Sequence, residues 1–156
     1  MEMLDKKIIY LYEKTQNNSH SGGSLFDHLV GTSNIIKKLY PKKQYLIDAG
    51  LFHSIYGTYY YDANLEVSRS EVKLLIGEKA ENLVYIFCTT ENRIETILQN
   101  KFDKDIQKDL YVLEYANLLE QNADIDIINK IKNNLTKECQ KRIESYSQEI
   151  GKKLHG

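Results

Sequence analysis

Apolar residues recur at three- and four-residue spacing along almost the whole of this 156-residue chain, and proline, the strongest helix breaker, occurs once, at Pro41. That combination points to an all-α fold. The spacing predicts helices over about 3–15, 24–40 and 44–55. It predicts a short helix from Ser68 or Ser70 to Gly77 and another with Ala80, Leu83, Val84, Phe87 and Cys88 as its buried stripe. Further helices follow around Ile94, Ile97 and Leu98, and over about 105–120, 123–134 and 136–150. No alternating strand pattern, internal repeat, phosphate-cradling glycine loop or nucleophile elbow appears. The expectation is one domain spanning 1–156, built as a bundle of about six to eight helices around a substantial core.

Lys and Arg total 21 against 22 Asp and Glu, so a net charge of -1 gives no general drive toward nucleic acid or an anionic membrane. No run approaches the roughly 18 apolar residues a membrane span needs, and the first residues lack the layout of a signal peptide. A cytoplasmic protein is expected. Cys88 and Cys139 are far apart and read as buried thiols, not as a zinc knuckle or redox pair.

Two histidines interrupt this pattern. His28, in Ser24-Leu25-Phe26-Asp27-His28-Leu29-Val30-Gly31-Thr32, shares one helix face with Leu25, Leu29, Thr32 and Ile36. His53, in Ala49-Gly50-Leu51-Phe52-His53-Ser54-Ile55-Tyr56-Gly57-Thr58, lies along the same side as Leu46, Ala49 and Gly50, whose small residues invite a closely packed helix. An imidazole turned into an apolar interior must find a hydrogen bond or a metal. Asp27 is turned about 100° from His28 and is explained by capping from Ser24. Asn117 sits on or beside the apolar stripe of a later helix, where both ends of its amide need partners. His20 falls in a turn-rich loop and Tyr59 in a tyrosine-rich one after His53. Glu91 and Arg93 are polar groups able to reach an anionic substrate or a metal-bound water, with a surface role the favoured reading.

Two inward histidines on consecutive helices, with a polar residue in Tyr115-Ala116-Asn117-Leu118-Leu119, resemble the layout of the HD-domain superfamily. His20-Ser21-Gly22, the two histidine stretches and Ile76-Gly77-Glu78-Lys79-Ala80 are more closely similar to an uncharacterised group of small HD-like proteins. The likeness covers about residues 18–120, with the helices of 122–150 following it. Usual members of the superfamily are helical metal-dependent enzymes, mostly phosphohydrolases, with some iron oxygenases. The resemblance implies that His28 and His53 match the two histidines of that pattern, while Ser54 and Asn117 stand where it has aspartates.

Loss of both carboxylates weakens the case for an ordinary Mg²⁺ phosphohydrolase, because hard cations depend on carboxylate oxygens. Imidazole-rich sites suit a divalent transition metal such as Fe, Zn, Mn or Co. The expectation is therefore a metal-dependent hydrolase or oxygenase acting on a small molecule. In it His20, His28 and His53 are metal ligands and His28, His53 and Asn117 carry the chemistry, while His20, Ser54, Tyr56 and Tyr59 contact substrate. The competing expectation is a degenerate, non-catalytic HD-like binding module, and a third is a helical interaction protein working through its polar face.

Overall fold

The computed structural model describes residues 2–16, 19–20, 23–57 and 66–155. Among them are eight α-helices: α1 (Met3–Thr15), α2 (Leu25–Leu39), α3 (Gln44–Phe52), α4 (Arg69–Thr89), α5 (Arg93–Leu98), α6 (Lys104–Glu120), α7 (Ile125–Lys132) and α8 (Lys137–His155). The fold is all-α, as the periodicity predicts. Two strands of two residues each, β1 (Ser19–His20) and β2 (Gly23–Ser24), form a small antiparallel ladder that sequence reading did not expect. A pair this short is below the length at which alternation becomes visible.

The helix starts follow local chemistry. Ser24 caps α2 by accepting the Asp27 amide at 3.0 Å, so Asp27 belongs to the cap and its favourable dipole end, as expected. Ser68 caps α4 in the same way through Glu71 at 3.2 Å. The expected break at Gly77 is present as a dihedral break inside α4, with φ +84° and ψ 167°. Leu51, Phe52 and Ile55 continue an apolar pattern, yet α3 ends at Phe52, three residues earlier than the spacing suggests, and His53 occupies its C-cap.

One connected core joins Phe52, Phe87, Leu29, Ile36, Leu110, Leu113 and their neighbours. Each such side chain contributes roughly 1.5–3 kcal/mol by leaving water. Helix α2 packs on both α3 and α6, and α3 also meets α4 and α6, which sets the three site-bearing helices against one another. At Gly50 a Cβ would come within 2.6 Å of Ile36 Cδ1 and 3.3 Å of Ser33 Cα. That residue therefore fixes the close approach of α3 to α2 which its small size predicts. Among the described residues no helix is long and apolar enough to cross a membrane.

Candidate functional site

His28 on α2, His53 at the end of α3 and Asn117 on α6 converge in the core, each 4% exposed or less. His28 Nε2 stands 3.0 Å from His53 Nε2 and 2.9 Å from Asn117 Oδ1, and His53 Nε2 stands 3.0 Å from the same oxygen. The three atoms form a nearly equilateral triangle.

The groups behind each corner determine where the protons are. His53 Nδ1 lies 2.7 Å from the Gly50 carbonyl, which can only accept, so Nδ1 carries the proton. Burial, reinforced by the neighbouring His28, pushes the His53 pKa down to about 3 and keeps the ring neutral. Its Nε2 therefore presents a lone pair. His28 Nδ1 lies 2.5 Å from a carboxylate oxygen of Glu120 and donates to it. Asn117 Nδ2 donates to Glu114 at 2.9 Å, which turns Oδ1 toward the histidines. Glu114 is itself fully buried and receives Arg93 Nε at 3.0 Å. A long contact of 3.4 Å also brings Gln121 Nε2 to His28 Nε2.

The consequence is an acceptor surplus. Among the described residues three acceptor atoms face one another, and a single cation at their centre would satisfy all three. That cation is either a proton on His28 Nε2, shared with His53 and Asn117, or a metal ion held by all three. Donors about 2.1 Å from one centre stand about 3.0 Å apart when their bonds are at right angles and about 3.4 Å apart in a tetrahedron. The observed edges of 2.9–3.0 Å fit one face of an octahedron. The donor chemistry, two imidazoles and one neutral oxygen, suits Fe²⁺, Co²⁺, Mn²⁺ or Zn²⁺ better than Mg²⁺. Among the described residues no three His, Cys, Asp or Glu side chains group around a metal, because the third donor here is an asparagine.

Around the triangle the walls are aromatic and sulfur-bearing. The Phe87 ring meets His53 edge to face at 5.4 Å, and the Arg93 guanidinium lies 4.0 Å from the centroid of the Phe87 ring. Cys88 donates its thiol to the His53 carbonyl at 3.1 Å, and burial raises its pKa to about 12. Cys88 and Cys139 are buried free thiols, as expected.

The remaining sequence candidates are placed differently. Ser54 is buried, and its hydroxyl makes no hydrogen bond to the triangle among the described residues. Tyr56 lies against Tyr85, with ring centroids 6.4 Å apart, and its buried hydroxyl has no hydrogen-bond partner among the described residues. Burial, with the nearby Glu81 carboxylate, raises its pKa. His20 sits in β1 with its side chain outside the described residues, and Tyr59 lies outside them altogether. Arg93 is a correction: expected at the surface, it is 7% exposed because it neutralises buried Glu114. Glu114 and Glu120 were missed, although both lie three residues from Asn117 and so share its side of α6. A cavity of about 400 Å³ lies elsewhere, lined by Arg69, Lys73, Glu78, Lys79, Glu81 and Asn82.

The family described as a domain of unknown function, DUF6817, matches residues 10–92, a stretch that holds both histidines and stops short of Asn117. The chain belongs to the DUF6817 family. No curated protein matches it. Among solved structures it is similar to a metazoan ortholog of SpoT that hydrolyzes ppGpp and plays a role in starvation responses. The two share 12% identity over 97% of each chain, with a TM-score of 0.63. That likeness concerns the fold, an all-helical arrangement shared over 97% of both chains. This DUF6817 protein thus combines an HD-like helical frame with an inner triangle that contains no carboxylate.

Proposed function

We propose that this DUF6817 protein is a metal-dependent enzyme of hydrolase type acting on a small molecule, with His28, His53 and Asn117 as the atoms that hold the metal. The observation that carries this reading is the triangle of three acceptor atoms with edges of 2.9–3.0 Å. A bound Fe²⁺, Co²⁺, Mn²⁺ or Zn²⁺ would supply Lewis acidity toward a substrate oxygen and lower the pKa of water. The Gly50 carbonyl keeps the His53 proton on Nδ1, Glu120 does the same for His28, and Glu114 aims the Asn117 oxygen. The neutral inner set leaves a dication's charge unbalanced, which favours an anionic substrate such as a phosphate ester. His20, Ser54, Tyr56 and Tyr59 are the proposed substrate contacts, and His20 is also the proposed further nitrogen ligand.

The test is metal analysis of protein purified without a histidine tag, with thermal melts on addition of Zn²⁺, Mn²⁺, Fe²⁺ and Co²⁺. One metal per chain and a rise in Tm that H53Q abolishes are expected. No stoichiometric metal and no rise in Tm would overturn the reading. Hydrolysis is then assayed on phosphate esters including ppGpp, the compound hydrolysed by the similar solved structure.

A second enzymatic reading, an iron-dependent oxygenase, is favoured by the donor set itself, because two imidazoles and one oxygen on one face resemble the facial triad of non-haem iron enzymes. Oxygen uptake by the Fe²⁺-loaded protein with no ester hydrolysis would select it. The alternative of a non-catalytic binding module rests on the proton-shared form of the triangle. It predicts small-molecule binding that is indifferent to chelators.

A further inference from the structure

The two carboxylates absent from positions 54 and 117 have counterparts one bond further out. Glu114, Asn117 and Glu120 follow one another at three-residue spacing on α6. Glu114 stands behind Asn117, and Glu120 stands behind His28. Their electrostatic effects differ. The charge of Glu114 is cancelled by Arg93, which is buried with it. Among the described residues Glu120 has no Lys or Arg within ion-pair distance, its one ionic contact being His28. It is therefore a carboxylate in direct contact with the triangle whose charge no Lys or Arg among the described residues offsets.

Its seat is shaped for it. Gly31 lies three residues after His28 on α2, and a Cβ there would come within 2.9 Å of both Cγ and Oε2 of Glu120. Any side chain at 31 would push the carboxylate out of the position from which its other oxygen reaches His28 Nδ1. The glycine is helical, so its lack of a Cβ is not needed for an unusual backbone and is explained by this contact.

Resting on the metal reading above, we propose that Glu120, seated against Gly31, is the positioning residue that sets the site's affinity for a divalent cation. It supplies from behind His28 the negative charge that the inner donors lack. A carboxylate accepting the far N–H of a ligating imidazole fixes the ring and makes its other nitrogen a stronger donor. Loss of such a partner typically weakens metal binding about 10–100-fold.

The experiment is titration of the full chain with Co²⁺ at neutral pH, followed both by calorimetry and by the visible d–d absorption bands. It compares wild type, E120Q, G31A and, as a remote charge control, E138Q. Binding by E120Q is expected to weaken by about 10–100-fold with a shift of the d–d bands. G31A, which keeps every charge but displaces the carboxylate, is expected to weaken binding in the same direction, while E138Q matches wild type. A merely structural role for Glu120 would lower Tm without moving the d–d bands of the bound fraction, and that result would overturn the proposal. So would E120Q and G31A binding within twofold of wild type. Wild-type protein with no Co²⁺ uptake would instead overturn the metal reading itself, and Glu120's role with it.

Discussion

Asn117 turns its oxygen toward His28 and His53 because its nitrogen is held by Glu114 at 2.9 Å. The bond is buried at both ends, and it sets the chemical character of the triangle. Were the amide reversed, Nδ2 would donate to the imidazoles and the acceptor surplus would vanish.

Asn117→Asp tests that relationship. The substitution replaces a donor with a second carboxylate oxygen against fully buried Glu114, so the metal-free protein is expected to lose about 1–3 kcal/mol or more. Adding Mn²⁺ or Co²⁺ is expected to raise its Tm by more than that of wild type, since the inner set now carries a charge. Thermal melts with and without metal read both effects. An N117D protein as stable as wild type without metal would show that Glu114 does not orient the amide.

Arg93 is the cation that allows Glu114 to remain buried. Removing one partner of a buried ion pair costs about 3–5 kcal/mol, because the other charge is stranded. R93L is therefore expected to be strongly destabilised in urea denaturation, and R93L combined with E114Q is expected to recover much of the loss. A mild effect of R93L alone would mean that water reaches Glu114 in the variant.

Asp109 on α6 predicts a pH dependence. Burial raises its pKa, against the opposing pull of the Tyr45 hydroxyl that donates to it at 3.0 Å. A carboxyl whose pKa is higher folded than unfolded favours the native state at low pH and loses that contribution as pH rises through the folded value. Asp109→Asn keeps an acceptor for Tyr45 and removes the charge. The variant is expected to match or exceed wild-type stability at pH 7, with the difference shrinking as the pH is lowered toward 4. Urea midpoints across pH 4–8 measure it, and an advantage that grows at low pH would contradict the assignment.

Gly77 separates space from conformation. Nothing lies within 4 Å of a Cβ built there, yet its φ of +84° with ψ of 167° is a region that belongs almost solely to glycine. Gly77→Ala is expected to cost about 1–3 kcal/mol although it meets no steric obstacle. A neutral result in thermal denaturation would place the break of α4 elsewhere in the native protein.

Much of this was readable in the sequence, for reasons that differ by residue. The inward turn of His28 follows from its place among Leu25, Leu29 and Thr32, and the burial of Asn117 from its place among leucines; both are local periodicity. The capping role of Asp27 was likewise visible three residues away, at Ser24. What could not be read are the partners that tertiary packing brings from a distance. Arg93 looks like a surface cation until α6 supplies Glu114, 21 residues later. Glu120 looks like a solvated end of a helix until α2 places His28 beside it across 92 residues of sequence. The premature end of α3 was hidden because Ile55 is fully buried and continues the apolar pattern beyond the last helical residue. Periodicity reports which side of an element is apolar, and it is silent on what a polar group meets there.

The separation of the triangle's corners also bears on the order in which the molecule assembles. The two histidines are 25 residues apart on neighbouring helices, whereas Asn117 lies 64 residues beyond His53. Closing the longer loop costs more chain entropy, so the α2–α3 pair can form as a local unit while the docking of α6 depends on long-range contacts. Substitutions at the α2–α3 contact, such as Gly50→Ala, are therefore expected to act mainly on the folding rate. Those at Asn117 should act mainly on the unfolding rate, making this corner the late-closing latch of the fold.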